Sequence, residues 1–311
     1  MTNEFAALLA AGRPAVIDGG LSTQCEAMGH NIDGELWSAQ LLQSNPRALV
    51  DATRAYLDAG ARIVATASYQ ASRKGLMAAG HTGEQADQLI LDSVSLARRA
   101  CDEYLADNPD AEPALVAASI GPYGAVVHDG SEYTGAYDIS DEDLRAFHEE
   151  RLALLDTSDA DLFACETIPS GREAEILADL LGRVSKPAWV SFSCLDGSHL
   201  VDGTPLATAA GHFTARDGVM ALGVNCVPPE IVLAAIETLR ETAPGKAIVV
   251  YPNSGETYRS EDNSWHGTST PLQCEQAAAE WVAAGASLVG GCCRIGPEQI
   301  AAMSQSVNNS G

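Results

Sequence analysis

The sequence predicts a closed (β/α)8 barrel, the TIM-barrel form of the α/β class, built as one domain over residues 1–311. Three observations carry that expectation. Eight short β-rich apolar runs recur along the chain, amphipathic helical patterns separate most of them, and no dinucleotide-binding fingerprint follows the first run. An open doubly wound sheet more often stops at five or six strands. The "DGGLSTQ" after the first run has two glycines but lacks the G-x-G-x-x-G spacing. With 46% hydrophobic residues, the chain has ample material for a large core.

In chain order the strand candidates are "PAVIDGG" (14–20), "RIVATAS" (62–68), "ALVAASIG" (114–121) and "DLFACE" (161–166), then "AWVSFS" (188–193), "VMALGVNC" (219–226), "AIVVYPN" (247–253) and "SLVGGCC" (287–293). They read as continuous apolar runs rather than alternations, as expected of strands packed on a core and covered by helices. The helices between them carry readable punctuation. Asn45, Pro46 and Gly60 bracket "NPRALVDATRAYLDAG", and Thr270, Pro271 and Gly285 bracket "TPLQCEQAAAEWVAAG". Ser140 with Asp143, and Ser170 with Glu173, have the spacing of capping boxes. The longest polar stretches, "GPYGAVVHDGSEYTGAYDIS" and "YPNSGETYRSEDNSWHGTST", follow strands. In a barrel they belong at the C-terminal face, where active sites form.

Acidic residues number 42 against 18 basic, a formal charge of -24, which disfavours nucleic acid and anionic membranes as partners. Salt screens such self-repulsion, so the excess also suits a cytoplasm of high ionic strength. The N-terminus has no positive n-region and no long h-region, and no segment has the length of a membrane span. A cytoplasmic location is therefore expected, and the final "SVNNSG" reads as frayed surface. Eight cysteines in a reducing compartment stay as thiols.

Three of those thiols fall at strand ends: Cys226 closes the sixth run, and Cys292 and Cys293 close the eighth. One intervening strand separates the two ends by roughly 10 Å of backbone, a gap that inward-leaning side chains can narrow around one metal. Adjacent residues of a regular strand point to opposite faces, so a bend is needed for Cys292 and Cys293 to converge, and Gly290 and Gly291 make it cheap. Three thiolates leave one tetrahedral position open, the pattern of a catalytic zinc, although iron and copper also take soft ligands. Core packing is the competing reading for any one cysteine, and it fits Cys25, Cys101, Cys165, Cys194 and Cys274 better.

A zinc carrying three thiolates is a poor generator of hydroxide but can hold a further thiol in reactive form, which points to sulfur alkylation. Asp18 and Glu166 end two other runs, either as cap partners and solvated strand termini or as acceptors for a substrate ammonium. The seven histidines form no H-E-x-x-H motif, and His148 and His266 read as helix surface and loop residues. Two other functions stand beside sulfur alkylation: a zinc hydrolase with metal-bound water and a nearby base, and a zinc store or thiol sensor that makes no product.

Taken together, "DGG", "ASYQA" (67–71), "SIGPYGA" (119–125), "ETIP" (166–169), "GVNC", "YPNSGE" (251–256) and "GGCCR" resemble the homocysteine S-methyltransferase family over nearly the whole chain and in the same order. The resemblance is to the stand-alone bacterial enzymes that use S-methylmethionine or S-adenosylmethionine. Longer relatives take methyl groups from methylcobalamin or folate through extra domains, for which 311 residues leave no room. Betaine is disfavoured as donor on length and overall resemblance. The resemblance implies one Zn2+ held by Cys226, Cys292 and Cys293, with homocysteine sulfur completing the tetrahedron, and Asp18 and Glu166 holding the homocysteine amino end. It further implies Tyr69 as a pocket wall, Asn225 as support behind the metal ligands, and Asn253 and Ser254 as substrate-loop contacts. The implied partners are homocysteine and a small sulfonium donor, with no obligate protein partner.

Overall fold

The computed structural model describes residues 3–32, 40–127, 130–255, 257–259, 264–266 and 274–309. Eight strands stand where the eight runs predicted them: β1 Ala15–Val16, β2 Ile63–Ala65, β3 Leu115–Ile120, β4 Leu162–Ile168, β5 Ala188–Phe192, β6 Val219–Asn225, β7 Ala247–Tyr251 and β8 Leu288–Val289. They pair in parallel in the order β1-β8-β7-β6-β5-β4-β3-β2. A further parallel bridge from Ile17 to Ile63 joins β1 to β2, so the sheet closes on itself.

Both faces of this sheet are buried, which is why the runs showed no alternation. Ala15, Ile17, Ile63, Leu115, Ala117, Leu162, Ala164, Trp189, Ala221, Val249 and Leu288 cluster inside the barrel. Their neighbours Val64, Val116, Ala118, Phe163, Val190, Leu222 and Val250 pack in the outer layer with the helices. Carrying the same period of two toward the strands' C-terminal ends brings Ser119, Glu166, Ser191, Asn225, Tyr251 and Cys292 onto the inner face. The lower interior is apolar and its upper layer is polar.

The N-terminal helix Glu4–Ala10, capped by the Asn3 side chain, closes the opposite end. Phe5 is fully buried with its ring 6.2 Å from that of Trp189. Burying that one side chain contributes about 1.5–3 kcal/mol.

Several local expectations change in detail. Asn45 precedes the helix Pro46–Asp58 but its side chain makes no capping bond. Ser140 and Ser170 accept from the N–H groups of Asp143 and Glu173, as half a capping box should. The reciprocal halves are missing: Asp143 takes the Ser140 hydroxyl, and Glu173 turns into a buried cluster. That cluster contains His148, which is fully buried rather than on a helix surface. His266 lies in a two-stranded antiparallel ribbon, Thr257–Arg259 with Ser264–His266, and not in a loop. Gly285, at φ 117, closes the helix Cys274–Ala284, while Thr270 and Pro271 lie outside the described residues. The tail is not frayed through residue 309: the helix Pro297–Asn309 packs Val307 into the core, since its apolar stripe is needed to cover β1. No helix among the described residues is long and apolar enough to cross a membrane.

Candidate active site

Three cysteines meet at the C-terminal mouth of the barrel. Cys226 Sγ lies 3.4 Å from Cys293 Sγ, Cys293 Sγ lies 3.9 Å from Cys292 Sγ, and all three sulfurs fall within 4.8 Å of one another. These separations are far beyond a disulfide of about 2.05 Å. They match a tetrahedron instead, because Zn–S bonds of about 2.3 Å set sulfurs about 3.8 Å apart. The donor set therefore fits a soft divalent metal, and no fourth His, Cys, Asp or Glu joins it among the described residues.

The backbone brings the thiols together by unusual torsions. Among the described residues, only Thr167, Cys226 and Arg294 adopt positive φ without being glycine, at 60°, 52° and 66°. All three stand at or beside the site, as strained residues commonly do. The expected role of Gly290 and Gly291 needs correction. Neither has positive φ; a Cβ at Gly290 would lie 2.4 Å from Ile17 Cγ1, and one at Gly291 would lie 2.1 Å from Ile295 Cγ2. Gly290 lets the end of β8 approach Ile17, Gly291 lets Ile295 fold back onto it, and the positive φ of this segment falls at Arg294, directly after Cys293.

The three thiols share protons. S–H donation from Cys292 and Cys293 holds the Cys226 thiol well below its ordinary range, with burial opposing. Cys292 and Cys293 are pushed up in turn. The structural cysteines behave differently: burial pushes Cys25, Cys101 and Cys194 up to about 12, and Cys165 higher still. They are packed thiols, unreactive near neutral pH.

Two carboxylates face the same cavity. Asp18, 7% exposed, accepts the Ala65 N–H at 2.7 Å. Burial pushes it up to about 8, the Ala65 bond opposes, and the charge of Glu166 adds to the rise. Glu166 is pushed up to about 7 by burial, against a hydrogen bond donated by the Ser119 hydroxyl. At neutral pH Asp18 is thus mostly protonated and Glu166 about half so, and a cation entering between them would favour their ionised forms.

Asn225 ties the carboxylate end to the thiol end. Its Oδ1 accepts from Thr167 N at 2.7 Å and from Ser191 Oγ at 2.7 Å, and its Nδ2 donates to Thr167 Oγ1 at 2.8 Å. Those bonds hold a β-branched residue at positive φ directly after Glu166, while Asn225 itself directly precedes Cys226. Asn253 Nδ2 donates to the Cys226 carbonyl at 3.3 Å, and both Asn253 and Ser254 are buried. Tyr69 is half-buried and lines the cavity beside Thr167.

The cavity has a volume of about 130 Å³ and is walled by Asp18, Tyr69, Glu166, Asn225 and the three cysteines, among others. That is well under the about 300–1,000 Å³ of drug-sized sites and suits an amino acid. Ser119, Thr167, Gln70 and Tyr251 also line it; all four lie in the sequence motifs quoted above, which give them no role of their own. The inner-face parity of β3 and β7, counted from Leu115 and Val249, would have found Ser119 and Tyr251.

Comparisons with known proteins agree with this arrangement. The homocysteine S-methyltransferase family profile matches residues 15–307. The chain is 44% identical over 305 residues to homocysteine S-methyltransferase of Escherichia coli (strain K12), covering 97% of each chain. It is 42% identical over 289 residues to homocysteine S-methyltransferase YbgG of Bacillus subtilis (strain 168), covering 92% of this chain and 91% of that one. The crystal structure of the homocysteine methyltransferase MmuM from Escherichia coli in its metallated form superposes with a TM-score of 0.86 at 42% identity, covering 96% of this chain and 98% of that one.

Proposed function

The chain belongs to the homocysteine S-methyltransferase family, and from that premise we propose that it transfers a methyl group from S-methylmethionine or S-adenosylmethionine to L-homocysteine, forming methionine. The whole of residues 1–311 acts, in this reading, as one homocysteine-binding barrel domain. The observation that carries it is the meeting, on one small cavity, of three sulfurs at metal-binding spacing with two buried carboxylates. A reducing compartment such as the cytoplasm would keep those thiols available.

Zn2+ held by Cys226, Cys292 and Cys293 would supply acidification of the substrate thiol, so that the sulfur is a thiolate at neutral pH. The protein's own groups do the rest. Asp18 and Glu166 receive the homocysteine ammonium, and whatever proton each carries leaves to solvent as the ion pairs form. The Ala65 N–H and the Ser119 hydroxyl fix the two carboxylates, so the ammonium end is anchored while the sulfur points toward the cysteines. Tyr69 and Tyr251 wall the cavity and limit water.

In the transfer, a lone pair of the homocysteine sulfur forms the new S–CH3 bond as the methyl carbon's bond to the donor sulfonium breaks in line. The bonding pair returns to the donor sulfur, which leaves as a neutral thioether and needs no general acid. Opposite charges cancel at the reacting atoms, so a site that excludes water favours the step, together with alignment.

Methionine formation from L-homocysteine by reduced, zinc-loaded protein tests this reading, with the two donors in parallel. Product from either donor at a rate dependent on the bound zinc is expected. A zinc-loaded protein that makes no methionine from either refutes it.

A further inference from the structure

The helix Asp141–Asp156 buries Leu144, His148, Arg151, Leu152 and Leu155 on one stripe, at the spacing of a core-facing surface. Two members of that stripe are polar, and Arg151 is only 1% exposed. A guanidinium is an expensive group to bury unless its donors are used. Here the two terminal nitrogens are used on loops rather than on a carboxylate, while Nε is buried without a hydrogen-bond partner. Nη1 donates to the Gly121 carbonyl at 2.9 Å, and Nη2 donates to the carbonyls of Ser68 at 3.0 Å and Tyr69 at 2.8 Å. The guanidinium also lies over the Phe147 ring, 5.0 Å from its centroid.

Those carbonyls belong to the loops that leave β2 and β3 at the mouth of the site. The two loops touch through Tyr69, whose carbonyl also accepts Gly121 N at 3.3 Å. A Cβ on Gly121 would stand 2.8 Å from the Tyr69 ring, so the ring rests on the bare glycine backbone. A second clamp sits two residues along. Glu173 Oε1 accepts Tyr123 N at 2.8 Å and bonds His148 Nε2 at 2.6 Å, and its other oxygen takes the Tyr137 hydroxyl. Burial lowers the pKa of His148 and so favours its neutral form within this cluster.

We propose that Arg151 is a positioning residue for methyl transfer: by gathering the carbonyls of Ser68, Tyr69 and Gly121 it locks the β2 and β3 loops together and holds the Tyr69 ring against the cavity. The inference rests on the methyl-transfer reading above. Arginine's rigid fork can serve carbonyls from two loops at once, whereas the point charge of lysine cannot hold all three in one geometry. Transfer in line tolerates little displacement, because a shift of about 1 Å costs about a hundredfold in rate.

The test is a double-mutant cycle of Arg151→Lys and Tyr69→Ala in zinc-loaded, full-length protein, reading kcat and KM for homocysteine, metal content and the thermal transition. Arg151→Lys should retain zinc and a cooperative transition while kcat falls about tenfold or more, and Tyr69→Ala should cost much less in the R151K background than in the parent. A general structural role would lower the transition temperature and leave the two effects on kcat independent. Phe147→Leu, which removes the stacking ring and leaves every charge, should lower kcat in the same direction and serves should R151K not fold. Unchanged kcat in whichever of these folds, or fully additive effects, overturns the proposal. Absence of methionine from the parent protein would instead overturn the functional reading on which it rests.

Discussion

Replacing Glu166 by Gln should make the empty protein more stable and the enzyme worse at binding homocysteine. The carboxyl is held near 7 against an ordinary value of 4.5, chiefly by burial. At 1.36 kcal/mol per tenfold, ionising it costs the folded protein about 3 kcal/mol relative to the unfolded chain. The sign follows from the raised folded value: the penalty is absent below pH 4.5, grows as the pH rises from 4.5 to 7, and is constant above. Glutamine keeps the shape and can still accept from Ser119 Oγ, but it carries no charge. Because its amide is itself costly to bury, the net gain at pH 8 should be about 1–3 kcal/mol, falling below about 1 kcal/mol at pH 5. In the opposite direction, losing a charge-assisted bond to the ammonium of about 1.5–3 kcal/mol should raise half-saturating homocysteine about 10- to 100-fold. Urea unfolding at the two pH values, with zinc content matched, reads the first effect, and initial rates read the second. A variant less stable than the parent at pH 8, with unchanged half-saturation, would refute the assignment of Glu166 to the ammonium.

Further outcomes are expected. Cys226→Ser should reduce bound zinc well below one equivalent and transfer by about a hundredfold or more, checked by metal analysis alongside the methionine assay; full metal and full rate would remove Cys226 from the ligand set. Asn225→Ala strips partners from the Thr167 N–H and hydroxyl and should destabilise by about 2–4 kcal/mol, with a rise in half-saturating homocysteine as Glu166 loses its anchored neighbour. Phe5→Ala, at the far end of the barrel, should cost about 3–5 kcal/mol in unfolding and leave kcat and KM unchanged. Homocysteine binding near pH 7 should release protons and weaken as the pH falls from 8 toward 6, since Asp18 near 8 and Glu166 near 7 must ionise. Calorimetry in two buffers of different ionisation enthalpy measures that release, and a null result would mean the acids are already charged.

How much of this was legible beforehand depended on the kind of signal each residue left. The strands were readable because a covered parallel strand must be apolar throughout, and Gly60 and Gly285 were readable stops because the chain there needs positive φ. The cysteines, Asp18 and Glu166 stood out because they interrupt apolar runs at their ends. Ser119, Ser191 and Tyr251 did not, since a run buried on both faces hides its parity until one inner residue is known. His148 reads as a helix-surface residue and Arg151 leaves no signal of its own, because both sit in a helical segment rich in acids.

By itself, then, the sequence determined the order of strands and helices, the end of the barrel that carries the chemistry, and the residue types available there, because periodicity and punctuation are local properties of the chain. Only the tertiary structure decided which side chains meet. Closure of β1 onto β2 and the approach of β8 to Ile17 at Gly290 bring Asp18, Glu166, Cys226, Cys292 and Cys293 to one cavity, with positive torsions at Thr167, Cys226 and Arg294 at or beside it. Those torsions are unfavourable for the residues that adopt them and are held by partners distant in sequence, such as Asn225 on Thr167, so no local pattern could announce them.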